Sequence, residues 1–344
     1  MNALLSIHNL RVHFGKGDRV VRAVDDVSLE VGDGETVGVV GESGSGKSTL
    51  GRSIVGLVPV TSGTIKFRGA DITTLSARHR RPLTADIQMV FQDPFSSLNP
   101  SRTIAQTLAE PFLAHGRSDR THRREMAVDM LNRVELTADA LDKYPAQFSG
   151  GQRQRIAIAR ALMLSPRLVI CDEPVSALDL SIQAQILNLF ADLRDDLGIA
   201  YLFIAHDLAV VRHLAQRTVV MYRGQIMESG PAADVNDSPR HPYTQSLHAA
   251  APVPDPIMQR TRREARIGSA STTVDLTSPS VGCPFASRCP SAFDRCRLER
   301  PPTVQIAPRH HAACFLVQPA APGATDDNNT DLPTIQHAQP RRSP

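Results

Sequence analysis

A glycine-rich segment at residues 41–49, GESGSGKST, is the feature that most limits what this chain can fold into. It has the spacing G-x-x-x-x-G-K followed by Ser or Thr, which is typical of loops that bind phosphate. Residues 36–40 before it form a continuous apolar run, as in a strand buried on both faces, and residues 48–57 after it have a helical pattern. A strand, a glycine turn and a helix are the context that such a loop requires. The segment therefore predicts a binding site for a nucleoside triphosphate.

The residue types of this segment explain the predicted chemistry. The glycines let successive backbone N–H groups curl around an anion. Lys47 adds a mobile positive charge for the β- and γ-phosphates, and the Ser48 hydroxyl can ligate Mg²⁺. The residues that we predict to contact the nucleotide here are Gly41, Ser43, Gly44, Gly46, Lys47, Ser48 and Thr49.

Length, charge and hydrophobicity exclude several other classes of protein. At about 150 residues per domain, 344 residues suggest roughly two domains. Lys and Arg number 38 and Asp and Glu 35, so a net charge of +3 argues against a protein whose affinity rests on neutralising a nucleic-acid backbone. The hydrophobic fraction of 41% is enough for a core. No stretch approaches the roughly 18 apolar residues of a spanning helix, and the first residues do not resemble a signal peptide.

Polar side chains follow three of the apolar runs that we predict to be strands. Asp172 and Glu173 follow residues 168–171, and the first is placed to hold Mg²⁺ while the second can polarise an attacking water. Gln92 follows another run and can reach the metal or the water. His206 follows a third, and the carboxyl ends of strands are where α/β folds place groups that contact ligands. We therefore predict two overlapping sets, the catalytic residues Lys47, Gln92, Glu173 and His206 and the magnesium ligands Ser48, Gln92 and Asp172.

Residues 149–152, SGGQ, form a second candidate anion site. Ser149 can cap a helix that begins at residue 150, and the two glycines expose backbone N–H groups at its N-terminus. One phosphate is already accounted for by the loop at 41–49. A second cradle about 100 residues later suggests a site that is shared between two subunits.

With these motifs in this order, residues 4 to about 230 resemble the ATP-binding subunits of ABC transporters. The resemblance implies an α/β fold of the P-loop NTPase class: a RecA-like core with an antiparallel β subdomain and a helical subdomain at about residues 95–165. It implies ATP and Mg²⁺ as cofactors. It also implies a head-to-tail dimer, in which the signature of one subunit, Ser149, Gly150, Gly151 and Gln152, closes over the phosphate loop of the other.

Four more roles are implied by this resemblance. Phe14 is expected to stack on adenine, and Gln92 is expected to be the residue of the Q-loop. Asp179 belongs to the D-loop that crosses the dimer interface, and His206 is expected to contact the γ-phosphate as the switch histidine. Every motif is intact, so we expect the chain to hydrolyse ATP rather than to act as a regulatory module that only binds it.

Finer motifs resemble the oligopeptide/dipeptide importer branch of that family. They are GESGSGKSTLGR at 41–52, VFQDPFSSLNP at 90–100, RHPYTQSL at 240–247 and AAPVPDP at 250–256. The resemblance implies a peripheral subunit at the cytoplasmic face of the cell (inner) membrane that hydrolyses ATP to power the import of oligopeptides or dipeptides. The implied partners are a second ATPase subunit, identical or related, two membrane permease subunits and, indirectly, an extracytoplasmic solute-binding protein, with no nucleic acid.

The organisation of the chain and two alternative functions follow from the same motifs. We predict an ATPase domain at 1–232, an importer-type extension at 233–317 and a proline-rich disordered tail at 318–344. An importer of nickel or another small solute stays open, because close relatives of the branch carry such cargo. A soluble ABC ATPase that acts on DNA or ribosomes is favoured only by a basic cluster at 260–266.

Four cysteines of the extension, Cys283, Cys289, Cys296 and Cys314, have the spacing C-x5-C-x6-C-x17-C. Structural disulfides are not expected in a cytosolic chain, and four thiolates in a short segment suit a metal ion or an iron–sulfur cluster. The spacing lacks the C-x2-C of common zinc sites. The extension resembles that of peptide importers, some of which bind a 4Fe–4S cluster, and so we expect that cluster, with zinc or four reduced thiols as alternatives.

Overall fold

The structure, a computed structural model, describes residues 3–17, 20–93, 97–116, 119–250 and 281–319. The basic cluster at 260–266 and all but the first two residues of the predicted tail at 318–344 lie outside the described residues. Residues 94–96 of the importer-type motif at 90–100 lie outside them as well. The predictions for these segments therefore stay predictions.

The strands form two sheets. They are β1 (Leu5–Phe14), β2 (Val21–Val31), β3 (Thr36–Val40), β4 (Ser62–Phe67), β5 (Ala70–Asp71), β6 (Ile87–Val90), β7 (Leu168–Asp172), β8 (Ala200–Ala205), β9 (Arg217–Tyr222), β10 (Gln225–Pro231), β11 (Val304–Ala307) and β12 (His310–Ala312). The smaller sheet is antiparallel with the order β2-β1-β4-β5. The larger has the order β11-β12-β10-β9-β3-β8-β7-β6 and is parallel from β9 to β6. The predicted α/β class with an antiparallel subdomain is confirmed.

Helices connect most of these strands. They are α1 (Lys47–Ile54), α2 (Ala77–Arg80), α3 (Ile104–Ala114), α4 (Arg120–Arg133), α5 (Gly150–Leu162), α6 (Leu180–Leu197), α7 (Leu208–Arg212), α8 (Ala232–Asp237), α9 (Pro242–Ala250) and α10 (Asp294–Leu298). Short 3-10 turns lie at Arg81–Ala85, Ala138–Asp142 and Pro145–Gln147. Nowhere in the described residues is there a helix with the length and apolar character that crossing a membrane needs.

The segment with a helical pattern at 103–141 divides into α3, α4 and a 3-10 turn. Gly116 follows α3 with φ +73°, a left-handed conformation that glycine adopts without a steric penalty. Asp119 then begins α4, because its carboxylate accepts a hydrogen bond from the backbone N–H of Thr121 at 2.9 Å. Apolar spacing alone does not reveal this break, since both helices bury apolar residues in the same cluster.

Two apolar clusters cover the two faces of the larger sheet. Residues of β7 alternate between them, because Leu168 and Ile170 belong to the cluster with α1 and the smaller sheet, and Val169 and Cys171 to the cluster with α3–α6. With both faces covered, β7 and β8 are buried at every residue, which explains their continuous apolar runs. The carboxyl ends of these parallel strands and of β3 therefore meet at one edge of the sheet.

The extension continues the larger sheet across the boundary predicted at 232/233. β12 pairs with β10, so that Glu228 lies opposite Ala312. The carboxylate of Glu228 is fully buried and accepts hydrogen bonds from the backbone N–H groups of Arg240 and His241, at 2.8 and 2.9 Å. The Nε2 atom of His310, the first residue of β12, lies 2.8 Å from the same carboxylate. This buried cluster attaches the extension to the ATPase sheet, while the boundary itself stays a prediction.

Candidate active site

The phosphate loop leaves the end of β3 and enters α1 under tight steric limits. A Cβ on Gly41 would lie 2.1 Å from the backbone oxygen of Met221. A Cβ on Gly46 would lie 2.0 Å from the backbone oxygen of Ala23, and Gly46 also has φ +99°. Only glycine fits these two positions, because the neighbouring atoms are backbone and cannot move aside. The glycines of the motif are therefore required by the close approach of β2 and β9.

Lys47 is buried at the start of α1 and turns back on the loop. Its Nζ donates to the backbone oxygens of Gly41 at 2.7 Å and Glu42 at 2.9 Å. It also lies 4.0 Å from the carboxylate of Glu173. Burial lowers the pKa of Lys47, and the nearby carboxylates of Glu173, Asp172 and Glu42 oppose that shift. The loop thus holds a cation among its own carbonyl groups, next to the acidic end of β7.

The predicted magnesium ligands Ser48 and Asp172 are in contact. The Ser48 hydroxyl donates to Oδ1 of Asp172 at 2.6 Å, and Arg52 Nη2 lies 3.4 Å from Oδ2. Asp172 is fully buried at the end of β7. Two neighbouring oxygen donors, one of them a carboxylate, fit the preference of Mg²⁺ for hard oxygen ligands. The residues present therefore suit this ion.

Glu173 is the point on which the other predicted catalytic residues converge. Its backbone has φ +49°, a strained conformation for a residue other than glycine. Its carboxylate accepts a hydrogen bond from Gln92 Nε2 at 3.2 Å and lies 3.8 Å from Nδ1 of His206. With Lys47 at 4.0 Å, side chains from three separate segments surround this carboxylate. An amide donor, an imidazole and an ammonium group can together orient this carboxylate toward a water.

A cleft of about 980 Å³ lies beside the loop. The predicted residues that line it are Phe14, Ser43, Gly44, Gly46, Lys47, Ser48, Thr49, Gln92 and Glu173. Three more predicted residues lie outside this lining, as far as the chain is described, but each is next to a residue in it. Gly41 contacts Lys47, Asp172 contacts Ser48, and His206 lies near Glu173. Phe14 is 43% exposed at the end of β1, and its stacking on adenine stays a prediction.

The same cleft contains charged residues that sequence reasoning did not assign. Asp25, buried in β2, lies 2.8 Å from Arg300 Nη2 and 3.2 Å from Gln225 Nε2, and all three line the cleft. Burial raises the pKa of Asp25, but the hydrogen bond and charge of Arg300, the charge of Arg22 and the hydrogen bond from Gln225 hold that pKa below its usual value. No local motif indicates this pair, because 275 positions separate its members.

The signature residues do not join the cleft of their own chain. Ser149 caps α5, accepting from the N–H of Gln152 at 3.3 Å, while the Gln152 side chain accepts from the N–H of Ser149 at 3.0 Å. Asp179 caps α6 and accepts a hydrogen bond from the N–H of Ile182 at 3.0 Å. In the part of the chain that the structure describes, the cleft lining includes neither the SGGQ residues nor Asp179. Their contacts with a nucleotide stay a prediction.

The four cysteines of the extension line one small cavity of about 20 Å³, together with Phe285 and His241. All four are free thiols. Burial raises the pKa of Cys283 to about 11, and the neighbouring thiols add to the shift. Yet no group of three or more His, Cys, Asp or Glu among the described residues could hold a metal ion, and the cavity has room for about one water. The donor chemistry suits a cluster or zinc, but the thiols are not placed as the ligands of either.

The loop and the glutamate that faces it are the parts with which a P-loop ATPase holds phosphates and orients water. Here they lie on a parallel sheet. One face of this sheet packs against the antiparallel sheet, and the other packs against helices, one of which begins at the SGGQ signature. The fold and the site together define an ATP-binding cassette of the ABC type.

Comparison with known proteins supports this class and narrows it. The ABC transporter family profile matches residues 24–176, and the profile of the oligopeptide/dipeptide transporter C-terminal region matches residues 227–296. A putative peptide import ATP-binding protein from Brucella ovis is 46% identical over 91% of this chain and 97% of its own length. The oligopeptide transport ATP-binding protein OppF from Salmonella typhimurium is 45% identical over 92% of this chain and 97% of its own length.

Solved structures agree with the fold. An ATP-binding cassette in a dimeric post-hydrolysis state, bound to ADP and phosphate, matches with a TM-score of 0.60 and 28% identity over 66% of this chain and 98% of that one. The cbiO1 protein from Clostridium perfringens, part of an ABC transporter complex, matches with a TM-score of 0.62 and 26% identity over 69% of this chain and 92% of that one. The chain belongs to the ABC transporter family, in its oligopeptide/dipeptide transporter branch, as the motifs predicted.

Proposed function

We propose that this chain is the ATP-hydrolysing subunit that powers oligopeptide import through an ABC transporter. The observation that carries the proposal is the convergence of three polar side chains on Glu173, beside the contact between Ser48 and Asp172. Relatives that match almost the whole chain are named for peptide import or oligopeptide transport. Neither alternative, a small-solute importer or an ATPase that acts on DNA or ribosomes, has comparable support.

The residues divide the chemistry of hydrolysis among themselves. The phosphate loop binds the phosphates through its N–H groups, and Lys47 offsets their negative charge. Ser48, Asp172 and Gln92 would hold Mg²⁺, which supplies further charge stabilisation when it is bound. Glu173 orients or deprotonates the attacking water, and its neighbour His206 contacts the γ-phosphate. The strained backbone of Glu173 aims its carboxylate toward the cleft.

Two chains form each complete site in this proposal. Ser149, Gly150, Gly151 and Gln152 of one subunit would close over the phosphate loop of the other, and Asp179 would lie at the interface. The support is that these residues stand apart from the cleft of their own chain, at the N-termini of α5 and α6. Backbone N–H groups at a helix N-terminus favour an anion, which a partner's bound triphosphate would supply.

The remaining partners follow from the branch of the family. We infer that two membrane permease subunits dock on the helical layer, and that an extracytoplasmic solute-binding protein acts through them. The chain would then lie at the cytoplasmic face of the cell (inner) membrane as a peripheral subunit. The names of its relatives, which describe import and transport, support this placement.

Uptake measurements test the whole proposal. Cells that lack this chain are complemented with the wild type or with Glu173→Gln, and the uptake of labelled oligopeptides and of nickel is followed. Peptide uptake that needs the wild type and is lost with Glu173→Gln supports the proposal. Nickel uptake that follows the chain while peptide uptake does not would assign the other cargo. A purified wild-type chain without Mg²⁺-dependent ATPase activity would contradict the ATPase role.

We also propose that Cys283, Cys289, Cys296 and Cys314 ligate a 4Fe–4S cluster, with zinc as the alternative. The support is that the four thiols line the same cavity in a segment too small for a core of its own. The surrounding side chains would have to move apart to admit the cluster. Anaerobic purification with iron, sulfide and zinc analysis tests this. About four irons per chain would support the cluster. A chain that is folded and contains neither iron nor zinc would contradict both the cluster and the zinc site.

A further inference from the structure

The segment that carries the four cysteines, residues 281–319 (the cysteine segment), contacts the nucleotide site at two points. We propose that this segment positions the phosphate loop, with Arg288 as the positioning residue that acts through Glu42. The inference rests on the proposed ATPase function and adds a new element to it. It concerns how the phosphate loop is held in position, and it does not depend on what the four cysteines bind.

The first contact is a two-pronged ion pair between Arg288 and Glu42. Arg288 Nη1 donates to Oε2 of Glu42 at 2.7 Å, and Nη2 donates to Oε1 at 2.9 Å. A guanidinium that holds both oxygens of a carboxylate fixes its orientation as well as its distance. The guanidinium carbon also lies 5.9 Å from the ring centre of Tyr222 and 5.7 Å from that of Phe285. These rings limit the positions that Arg288 can adopt.

Glu42 links Arg288 to the phosphate loop. It is the second residue of the motif, between Gly41 and Ser43, where the spacing allows any residue type. Its backbone N–H donates to the Tyr243 hydroxyl at 2.9 Å, and its backbone oxygen accepts from Lys47 Nζ at 2.9 Å. The cysteine segment holds its side chain, α9 holds its N–H, and its carbonyl contacts the lysine proposed to bind phosphate. A shift of Glu42 would therefore move a partner of Lys47.

The turn at residues 285–289 connects the contact between Arg288 and Glu42 to the cysteine cavity. Phe285 accepts backbone hydrogen bonds from Arg288 and Cys289, both at 3.0 Å. Its ring is 2% exposed, lines the cavity of the four cysteines, and packs at 5.5 Å from the Tyr222 ring and 5.3 Å from the Tyr243 ring. The residues that form the cavity and the residue that holds the loop thus belong to one turn. Rearrangement around the cysteines would displace Arg288.

The second contact lies in the lining of the cleft itself. Arg300 of the cysteine segment lines the cleft and pairs with the buried Asp25 at 2.8 Å. An isolated pair on the surface contributes little, because water and salt screen it. Two pairs from one segment, one of them bidentate and flanked by rings, place that segment against the phosphate loop and against the cleft lining. Nucleotide affinity should therefore depend on the cysteine segment.

Substitution in the full-length chain tests the proposal. Arg288→Gln is compared with Arg297→Gln, a matched loss of charge at an exposed arginine of the same segment. We expect Arg288→Gln to raise the KM for ATP about tenfold, as for a lost charged hydrogen bond, with kcat within about threefold of the wild type. Arg297→Gln should leave both unchanged. Equal kinetics of the two variants at equal thermal stability would overturn the proposal.

Two more variants separate positioning from a general loss of structure. Arg288→Lys keeps the charge but not the bidentate geometry, so its KM should fall between those of the wild type and Arg288→Gln. Glu42→Gln combined with Arg288→Gln should be no worse than the more severe single change, because both break one contact. The proposal would be contradicted if the effects of Glu42→Gln and Arg288→Gln on the KM multiplied in the double variant. Loss of folding in Arg288→Lys would contradict it as well. A wild-type chain that does not hydrolyse ATP would instead refute the proposed function.

Discussion

The Ser48 hydroxyl donates a hydrogen bond to the carboxylate of Asp172 at 2.6 Å, joining the first turn of α1 to the end of β7. This contact brings two proposed Mg²⁺ ligands together across 124 positions of sequence. Glu173 is next in the chain, and its carboxylate has Lys47, Gln92 and His206 as neighbours. The carboxylates proposed to bind the metal and to orient the water, those of Asp172 and Glu173, thus occupy consecutive positions at one strand end, which leads to the first prediction.

Glu173→Gln should abolish hydrolysis and leave ATP binding intact. The amide keeps the size of the side chain but cannot accept a proton, so kcat should fall by about 10²–10⁴-fold, the usual contribution of a general base. Binding should change by less than about threefold, because the phosphates contact the loop rather than this side chain. Steady-state ATPase rates and nucleotide binding measure both effects. Glu125→Gln, an exposed change in α4, is the control, and wild-type turnover in Glu173→Gln would contradict the assigned role.

Lys47→Ala should weaken ATP binding, in contrast to Glu173→Gln. The buried ammonium has the loop carbonyls of Gly41 and Glu42 as partners, and it lies within the loop that is proposed to bind the phosphates. Its loss should raise the dissociation constant for ATP at least about tenfold, since a charged hydrogen bond contributes about 1.5–3 kcal/mol. Lys66→Ala on β4, where the lysine is exposed, should have no effect on binding. Equal affinity of both variants would show that Lys47 does not bind phosphate.

Much of the catalytic site could be predicted from the sequence because its signals are local. The spacing around Lys47 defines a phosphate loop by itself, and Glu173 and His206 each follow an apolar run. Since parallel strands present their carboxyl ends at one edge, residues at those ends meet whatever their distance in sequence. The structure brings Gln92, Glu173 and His206 together for this reason.

The contacts of the extension could not be predicted in this way. Arg288 and Arg300 reach the site because β12 pairs with β10 and Phe285 packs on Tyr222 and Tyr243. These are long-range contacts, and an arginine in a short segment has no periodicity that would mark it. The role of the SGGQ residues in a site shared between two subunits stays a prediction, because a single chain cannot bring them to the loop of a partner.

Glu228 should make the stability of the chain depend on acidic pH. Burial raises the pKa of Glu228, but the hydrogen bonds of its carboxylate with the His310 side chain and with the backbone N–H groups of Arg240 and His241 outweigh burial and lower that pKa below its usual value. A native pKa below the unfolded value gives stability that is complete above about pH 5 and is lost as the pH falls through the native pKa. The free energy of unfolding, measured from pH 3 to pH 7, should therefore decrease toward the acidic end.

Replacement of this residue isolates its share of the pH dependence. Glu228→Gln should lower the free energy of unfolding at pH 7 by about 2 kcal/mol, because it removes charged hydrogen bonds in a buried site. It should also flatten the profile below pH 5. Glu30→Gln, at an exposed position of β2, should keep the wild-type profile. A Glu228→Gln chain with the same acidic slope as the wild type would assign the slope to other groups.

The two glycines of the signature should differ in what they do for folding. A Cβ on Gly151 would lie 2.7 Å from Cγ2 of Ile182 on α6, whereas a Cβ on Gly150 would meet Leu178 Cδ2 at an ordinary 3.6 Å. Gly151→Ala should therefore lower the free energy of unfolding by about 1–3 kcal/mol through overpacking, and Gly150→Ala should not. Thermal or denaturant unfolding of the two variants checks this difference. Equal stability of the two variants would mean that α6 moves aside at little cost.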